Sequence, residues 1–181
     1  MTWLLLAFTG FLATISHQWQ TPFCTAYSVA TCASVYGVKE DWHKIATKEL
    51  FLTTEWYWFR LPKLTRFNIS YEYLSTVEEV SKKLQNWPLI MRVPSWYYID
   101  DILLPYWHHT CLVWETPTDW IIANSWGTWY GVQGYQKVSK SITSVLTFQD
   151  FGTWNLKAEL TWIKAPEPKK VVKKFILKKK K

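Results

Sequence analysis

The sequence predicts an α+β domain, with a helical first half packed on an antiparallel sheet formed by the second half. Three observations predict it. Apolar residues at helical spacing gather before residue 86. Short apolar runs separated by turn residues gather after residue 88. Helices and strands are segregated along the chain rather than alternating, which disfavours a parallel α/β sheet. The 181 residues suit one domain with a substantial core. It is assigned to 1–165, followed by a lysine-rich tail at 166–181 that is expected to be disordered.

Taken in order, Met1 to Ile15 is apolar and reads as a first strand rich in Leu, with Trp3. The competing reading, an export signal, lacks a basic start and an Ala-x-Ala-like cleavage site. At about 15 residues the run is also short of the roughly 20 that a membrane span needs. Cys24 to Tyr36 is small and apolar with almost no charge, a helix buried on most sides, and Gly37 suits its C-terminal cap. Lys39 to Leu50 reads as an amphipathic second helix. Phe51 to Tyr73 is aromatic and irregular, interrupted by Pro62, and takes no assignment. Ser75-Thr76-Val77-Glu78 has the form of a capping box, and Val77, Val80 and Leu84 continue it as a third helix to about Gln85. Pro88 stops that helix. Leu89 to Val93, Thr110 to Trp114 and Trp120 to Ala123 read as strands, the last two joined by Thr116-Pro117-Thr118-Asp119. Val132 to Val138 continues the sheet, and Leu156 to Ile163 closes it.

Charge separates body from tail. Eight lysines lie within 169–181, and removing them from the net charge of +7 leaves −1 for the rest. A phosphate-binding groove in the folded body is therefore disfavoured, so no nucleic acid is expected there. The tail, with Val171-Val172 and Phe175-Ile176-Leu177 between its lysines, suits an anionic polymer or a membrane surface, or is simply a solvated end. Fourteen Trp and 18% aromatic residues call for a packed interior, an aromatic cleft or a docking surface. Three cysteines, at 24, 32 and 111, are too few and too odd in number for a disulfide scaffold and point to reduced thiols. No His, Cys, Asp or Glu grouping has metal-ligand spacing and no glycine-rich phosphate loop is present, so no cofactor is expected.

The chemistry centres on Cys24, placed where a helix begins. A thiol attacks as thiolate, and a helix N-terminus supplies free N–H groups and partial positive charge beside it. A cysteine at the start of an apolar helix is by itself more often a core residue. The segment from Gln18 to Ser28, with Gln six residues before Cys24 and Ala26-Tyr27-Ser28 after it, resembles the nucleophile block of the papain-like cysteine peptidases. Asn124-Ser125-Trp126-Gly127-Thr128, leading to Gly131 and Gly134-Tyr135, resembles that family's Asn block, and it is the most specific of the matches. His108 stands 16 residues before Asn124 and just before an apolar strand, the setting of the family's His. Asn86-Trp87-Pro88-Leu89-Ile90-Met91 resembles the step into that strand. The four matches keep the family order and span most of residues 15–138.

The resemblance implies a papain-like fold of reduced size and a cysteine-type amide hydrolase acting on peptide or protein substrates through a thioester. Cys24 would be the nucleophile, His108 its base and Asn124 the residue that orients the imidazole. Gln18 and the Cys24 N–H would form the oxyanion hole, and Trp126 would shield the His–Asn bond. His109 is the rival base and Gln20 a second-choice donor. His17 and His43 are read as surface or packing residues, Cys32 and Cys111 as core. Trp19, Trp107, Trp126 and Tyr130 are the expected substrate contacts, with Trp96, Tyr97 and Trp129 as further candidates for the cleft lining.

The chain also departs from the family. Thr21-Pro22-Phe23 replaces the usual Cys-Gly-Ser, Trp19 replaces a Gly, and the gap from Cys24 to His108 is 84 residues, against the ~130–150 of papain-type enzymes. Loops are thus expected to be missing, and with 17 residues upstream of Gln18 no inhibitory propeptide is expected. A compact monomer in the cytoplasm or associated with a virus is expected, with export through the apolar N-terminus less favoured. Two other functions fit the same residues: a catalytically silent module that binds a peptide or partner through its aromatic cleft, and a cell-wall peptide hydrolase with the same triad.

Overall fold

A computed structural model describes residues 5–18, 23–36, 74–150 and 171–176. Its elements are β1 (Leu5–Gly10), α1 (Cys24–Val35), α2 (Val77–Leu84), β2 (Leu89–Val93), β3 (Tyr98–Ile99), β4 (Ile102–Leu103), β5 (His108–Glu115), β6 (Asp119–Ala123), β7 (Tyr135–Ser139), a 3-10 turn (Lys140–Val145), β8 (Thr147–Asp150) and β9 (Val171–Ile176). The centre is a five-stranded sheet in the order β7-β6-β5-β2-β8, antiparallel throughout, with α1 packed on it. The class is α+β, as the segregation of helices and strands predicts. Among the described residues no helix is long and apolar enough to cross a membrane.

Helix α1 contains no charged residue, and Thr25 to Val29, Thr31 to Ala33 and Val35 are buried. Its small residues set the packing distance. Ala26 and Ala33 are fully enclosed, so enlarging either overfills the core at a cost of about 1–3 kcal/mol. Sequence and structure agree that the helix starts at Cys24. It ends at Val35 with Tyr36 as its cap, and Gly37 and the expected helix at Lys39 to Leu50 lie outside the described residues.

Helix α2 is amphipathic, burying Val80 and Leu84 while Glu78, Glu79 and Lys82 face water. Its capping box sits one residue later than the sequence reading placed it. The Thr76 hydroxyl accepts from the Glu79 N–H at 3.2 Å, and Glu79 accepts in return from the Ser75 and Thr76 N–H groups. Both Ser75-Glu78 and Thr76-Glu79 satisfy the spacing rule. The second pair wins because Val77 then opens the helix and Val80 and Leu84 share its buried side.

Strand β2 spans the residues expected, whereas β5 is longer than Thr110 to Trp114, beginning at His108 and ending at Glu115. The turn between β5 and β6 closes as predicted: Thr116 N–H donates to the Asp119 carbonyl at 2.7 Å. Under the sheet, Trp120 is fully buried and donates Nε1–H to Thr143 Oγ1 at 3.0 Å, with Phe148 edge-on to its ring.

Of the expectations about the remaining strands, one changes at its start, one lies outside the described residues and one concerns the tail. The strand expected at Val132 to Val138 begins instead at Tyr135, because Gly131 (φ +57°) and Gly134 (φ +87°) turn the chain first. A Cβ at Gly131 would lie 2.1 Å from the Tyr135 carbonyl oxygen, so only glycine fits there. The sheet is closed by β8, while the expected strand at Leu156 to Ile163 lies outside the described residues. The tail also holds a strand where disorder was expected. Val171–Ile176 pairs antiparallel with β1, from Leu5 opposite Ile176 to Gly10 opposite Val171. Val171, Val172, Phe175 and Ile176 are residues that favour a strand, and β1 supplies the partner that the tail alone lacks.

Candidate active site

The site lies where the first turn of α1 meets the start of β5. Alternation along β5 sends neighbouring side chains to opposite faces of the sheet. Helix α1 packs on β5 and its tip meets His109, so the side of β5 that carries His109 and Cys111 is the helix side. His109, two residues before Cys111, shares that side. Its Nδ1 lies 3.9 Å from the Cys24 sulfur at the tip of α1.

The resemblance pairs Cys24 with His108. The structure sets the sulfur against His109 instead, and parity is the reason: His109, not His108, is in step with Cys111. His108 is on the opposite side, where its Nε2 is 2.7 Å from Asn124 Oδ1. The contacts expected of a single histidine, one to the thiol and one to the carboxamide, are therefore divided between two adjacent ones.

Asn124 sits within a chain of hydrogen bonds whose every orientation is fixed. The Asp100 carboxylate can only accept, so Gln136 turns Nε2 toward it, at 3.1 Å. Gln136 Oε1 then accepts from Asn124 Nδ2 at 2.7 Å. The Asn124 oxygen is left facing both the Ser125 N–H, at 2.8 Å, and His108. His108 must therefore carry its proton on Nε2. The Lys137 N–H secures the other Asp100 oxygen at 2.8 Å, and the Asp100 N–H donates to the Lys137 carbonyl, also at 2.8 Å. Asp100 adopts φ +50°, a left-handed conformation that Asp and Asn tolerate better than most residues.

Gln18 is tied to the same segment from its other end. Its N–H donates to the Ser125 carbonyl at 2.7 Å, and its side-chain oxygen accepts from Ser125 Oγ at 2.5 Å. That bond determines which end of the Gln18 amide is the donor end. Trp126 packs its ring on His108, centroids 4.9 Å apart, and meets Tyr130 edge-on at 5.6 Å. Gly127, at φ +98°, lets the chain pass under Trp129, where a Cβ would come within 2.8 Å of the ring.

Of the other expected cleft residues, Trp96, Trp107, Trp129 and Tyr130 are exposed and Tyr97 is half-buried. Trp19 and Gln20 lie outside the described residues, as does His43. His17 packs edge-on against Trp129 at 4.4 Å. Cys32 and Cys111 are fully buried, as read from the sequence.

Burial governs the electrostatics. It pushes the Cys24 thiol above its ordinary value, outweighing hydrogen bonds from the His109 and Thr25 backbone. It pulls His108 down to about 4, against the opposing effect of the Asn124 bond. Burial, followed by the charges of His108 and Arg92, holds His109 well below its usual range. The resting groups at neutral pH are thus a thiol and two neutral imidazoles. Among the described residues no group of three His, Cys, Asp or Glu side chains could hold a metal ion.

Three participants are absent from the sequence reading: Gln136, Asp100 and Arg92. Gln136 leaves a signal, since along Tyr135 to Ser139 only Gln136 and Val138 are buried, and a Gln at an inward position implies a polar partner. Asp100 and Arg92 leave none, because their roles depend on strands brought together by the sheet. No protein-family model and no curated protein sequence matches the chain.

Proposed function

We propose that the chain is a papain-like cysteine hydrolase of amide bonds, with Cys24 as nucleophile and His109 as the base that takes its proton. The observation that carries this reading is the Cys24 sulfur at a helix N-terminus, 3.9 Å from an imidazole nitrogen. The residue resemblance around Gln18, Cys24 and Asn124 supports it independently.

In the proposed reaction the Cys24 proton passes to His109 Nδ1 as the sulfur attacks the carbonyl carbon. Because the resting pair is neutral, transfer and attack are coupled and no ion pair precedes them. The carbonyl oxygen gains negative charge beside the Cys24 N–H, the first donor of α1, and the donor end of Gln18. A donor of this kind is worth about 2.7–4 kcal/mol to the barrier. His109 returns the proton to the leaving amine, and a thioester remains on Cys24. Water then gives a proton to His109, attacks the thioester and releases the acid, which restores the thiol. His108 and Asn124 act as positioning residues. The bond to Asn124 fixes the His108 ring, and keeping His108 neutral spares His109 an adjacent positive charge.

A silent binding module is the second reading. The raised thiol and lowered imidazoles favour it, since both run against a preformed thiolate. An acyl-trapping experiment separates the two. After brief mixing with p-nitrophenyl acetate, the hydrolase carries an acetyl group on Cys24 that turns over, and Cys24→Ser abolishes that turnover. A binding module acetylates no faster than a free cysteine in a peptide, and does not turn over. Simple preference for Cys24 over the other thiols is not diagnostic, because Cys32 and Cys111 are sealed in the core.

A further inference from the structure

Arg92 has no role in the proposed reaction, yet it stands beside the reacting groups. In the β2–β5 pairing it lies directly opposite His109, and directly opposed residues project on the same face. It therefore shares the face on which Cys24 meets His109. The guanidinium carbon sits 3.6 Å from the centre of the Trp107 ring, and Trp107 is 51% exposed, at the rim of the same face. Among the described residues, Arg92 forms no ion pair, and its Nε is buried without a hydrogen-bond partner.

We propose that Arg92, placed over the face of Trp107, is a specificity residue that takes a carboxylate of the substrate next to the scissile bond. The inference rests on the hydrolase reading and adds to it a substrate class. A stacked guanidinium presents its N–H groups in a plane, the arrangement that grips a carboxylate with two parallel bonds. Stacking on an aromatic face costs the ring little and fixes that plane. A second consideration favours an anionic ligand over a neutral one. The charge of Arg92 makes His109 a poorer base. A carboxylate docked on Arg92 cancels that charge and strengthens the base when substrate arrives. Two sources supply the same chemistry, an Asp or Glu side chain and the terminal carboxylate of a peptide.

The test compares two alkylating agents of nearly equal size on the full-length protein, iodoacetate and iodoacetamide. The readout is the ratio of their rates at Cys24, which cancels changes in thiol reactivity. In Arg92→Met the ratio of iodoacetate to iodoacetamide falls on the order of tenfold, the size expected for losing one charge-assisted contact. Arg92→Lys retains most of it, and continued protection of Cys32 and Cys111 confirms that each variant is folded. A ratio unchanged in Arg92→Met overturns the proposal. Peptide pairs then identify the source. Preference for Glu over Gln that disappears in Arg92→Met assigns a side chain, and preference for a free over an amidated C-terminus assigns the terminal carboxylate. Cleavage indifferent to both overturns the proposal and leaves the hydrolase standing. Failure to cleave any peptide removes the hydrolase reading, while the alkylation ratio still decides whether Arg92 recruits an anion.

Discussion

The two faces of strand β5 each carry a buried histidine, and they treat it in opposite ways. On the helix side, His109 meets a thiol at 3.9 Å, with the buried Cys32 and Cys111 beyond. On the other side, His108 ends a hydrogen-bond chain running through Asn124 and Gln136 to Asp100, each orientation forced by the one before. One face places a sulfur beside the imidazole proposed to take its proton. The other holds a polar chain that has a single low-energy arrangement. Positional order is thus concentrated one residue away from the group that needs to move a proton.

Removing the middle of the ordered chain gives the largest expected effect. Asn124→Ala strands the His108 Nε2–H, the Ser125 N–H and the Gln136 oxygen, each buried. At 1–3 kcal/mol for each buried group left unsatisfied, the loss in stability is about 4 kcal/mol, read as a shift in the urea midpoint. A loss under about 1 kcal/mol would show that the chain is not a structural unit.

The pH dependence of stability comes next. Unfolded, His108 takes up a proton near its ordinary 6.5; folded, it does so only at about 4. Between those values unfolding takes up a proton, so stability falls as the pH falls through this window, by about 3 kcal/mol from His108. His109 contributes with the same sign. Denaturation curves from pH 7 to 4 measure the slope, and His108→Gln removes the His108 share of it.

Asp100→Asn has a smaller effect. The new amide offers one oxygen where the carboxylate offered two, so either Gln136 Nε2 or the Lys137 N–H faces an NH2 group. About 1.5 kcal/mol is expected, reduced by the partial exposure of the turn. Away from the site, Thr76→Ala removes only the α2 cap and costs about 1 kcal/mol, with no change in Cys24 reactivity.

The sequence carried local structure well where one rule decided the outcome. Leu89 to Val93 is apolar except for Arg92, follows a proline, and is a strand with those bounds. The charge-free run after Phe23 is a helix from Cys24. Where two neighbouring residues satisfied the same rule, the choice needed the third dimension. Ser75 and Thr76 both suit a cap, and His108 and His109 both suit the spacing to Asn124. Register against Arg92 and Val93 sets the histidine faces, and no local pattern encodes it. The pairing of β1 with β9 joins the two ends of the sequence, so neither strand had a visible partner.

The assignment of chemistry to one face and order to the other is tested most directly by the rate at which Cys24 is acetylated in two variants, His109→Ala and His108→Ala. The rate is expected to fall by about 10²–10⁴ in His109→Ala, the usual worth of a general base, and by no more than about tenfold in His108→Ala. The reverse order, or equal rates in both variants, would contradict it.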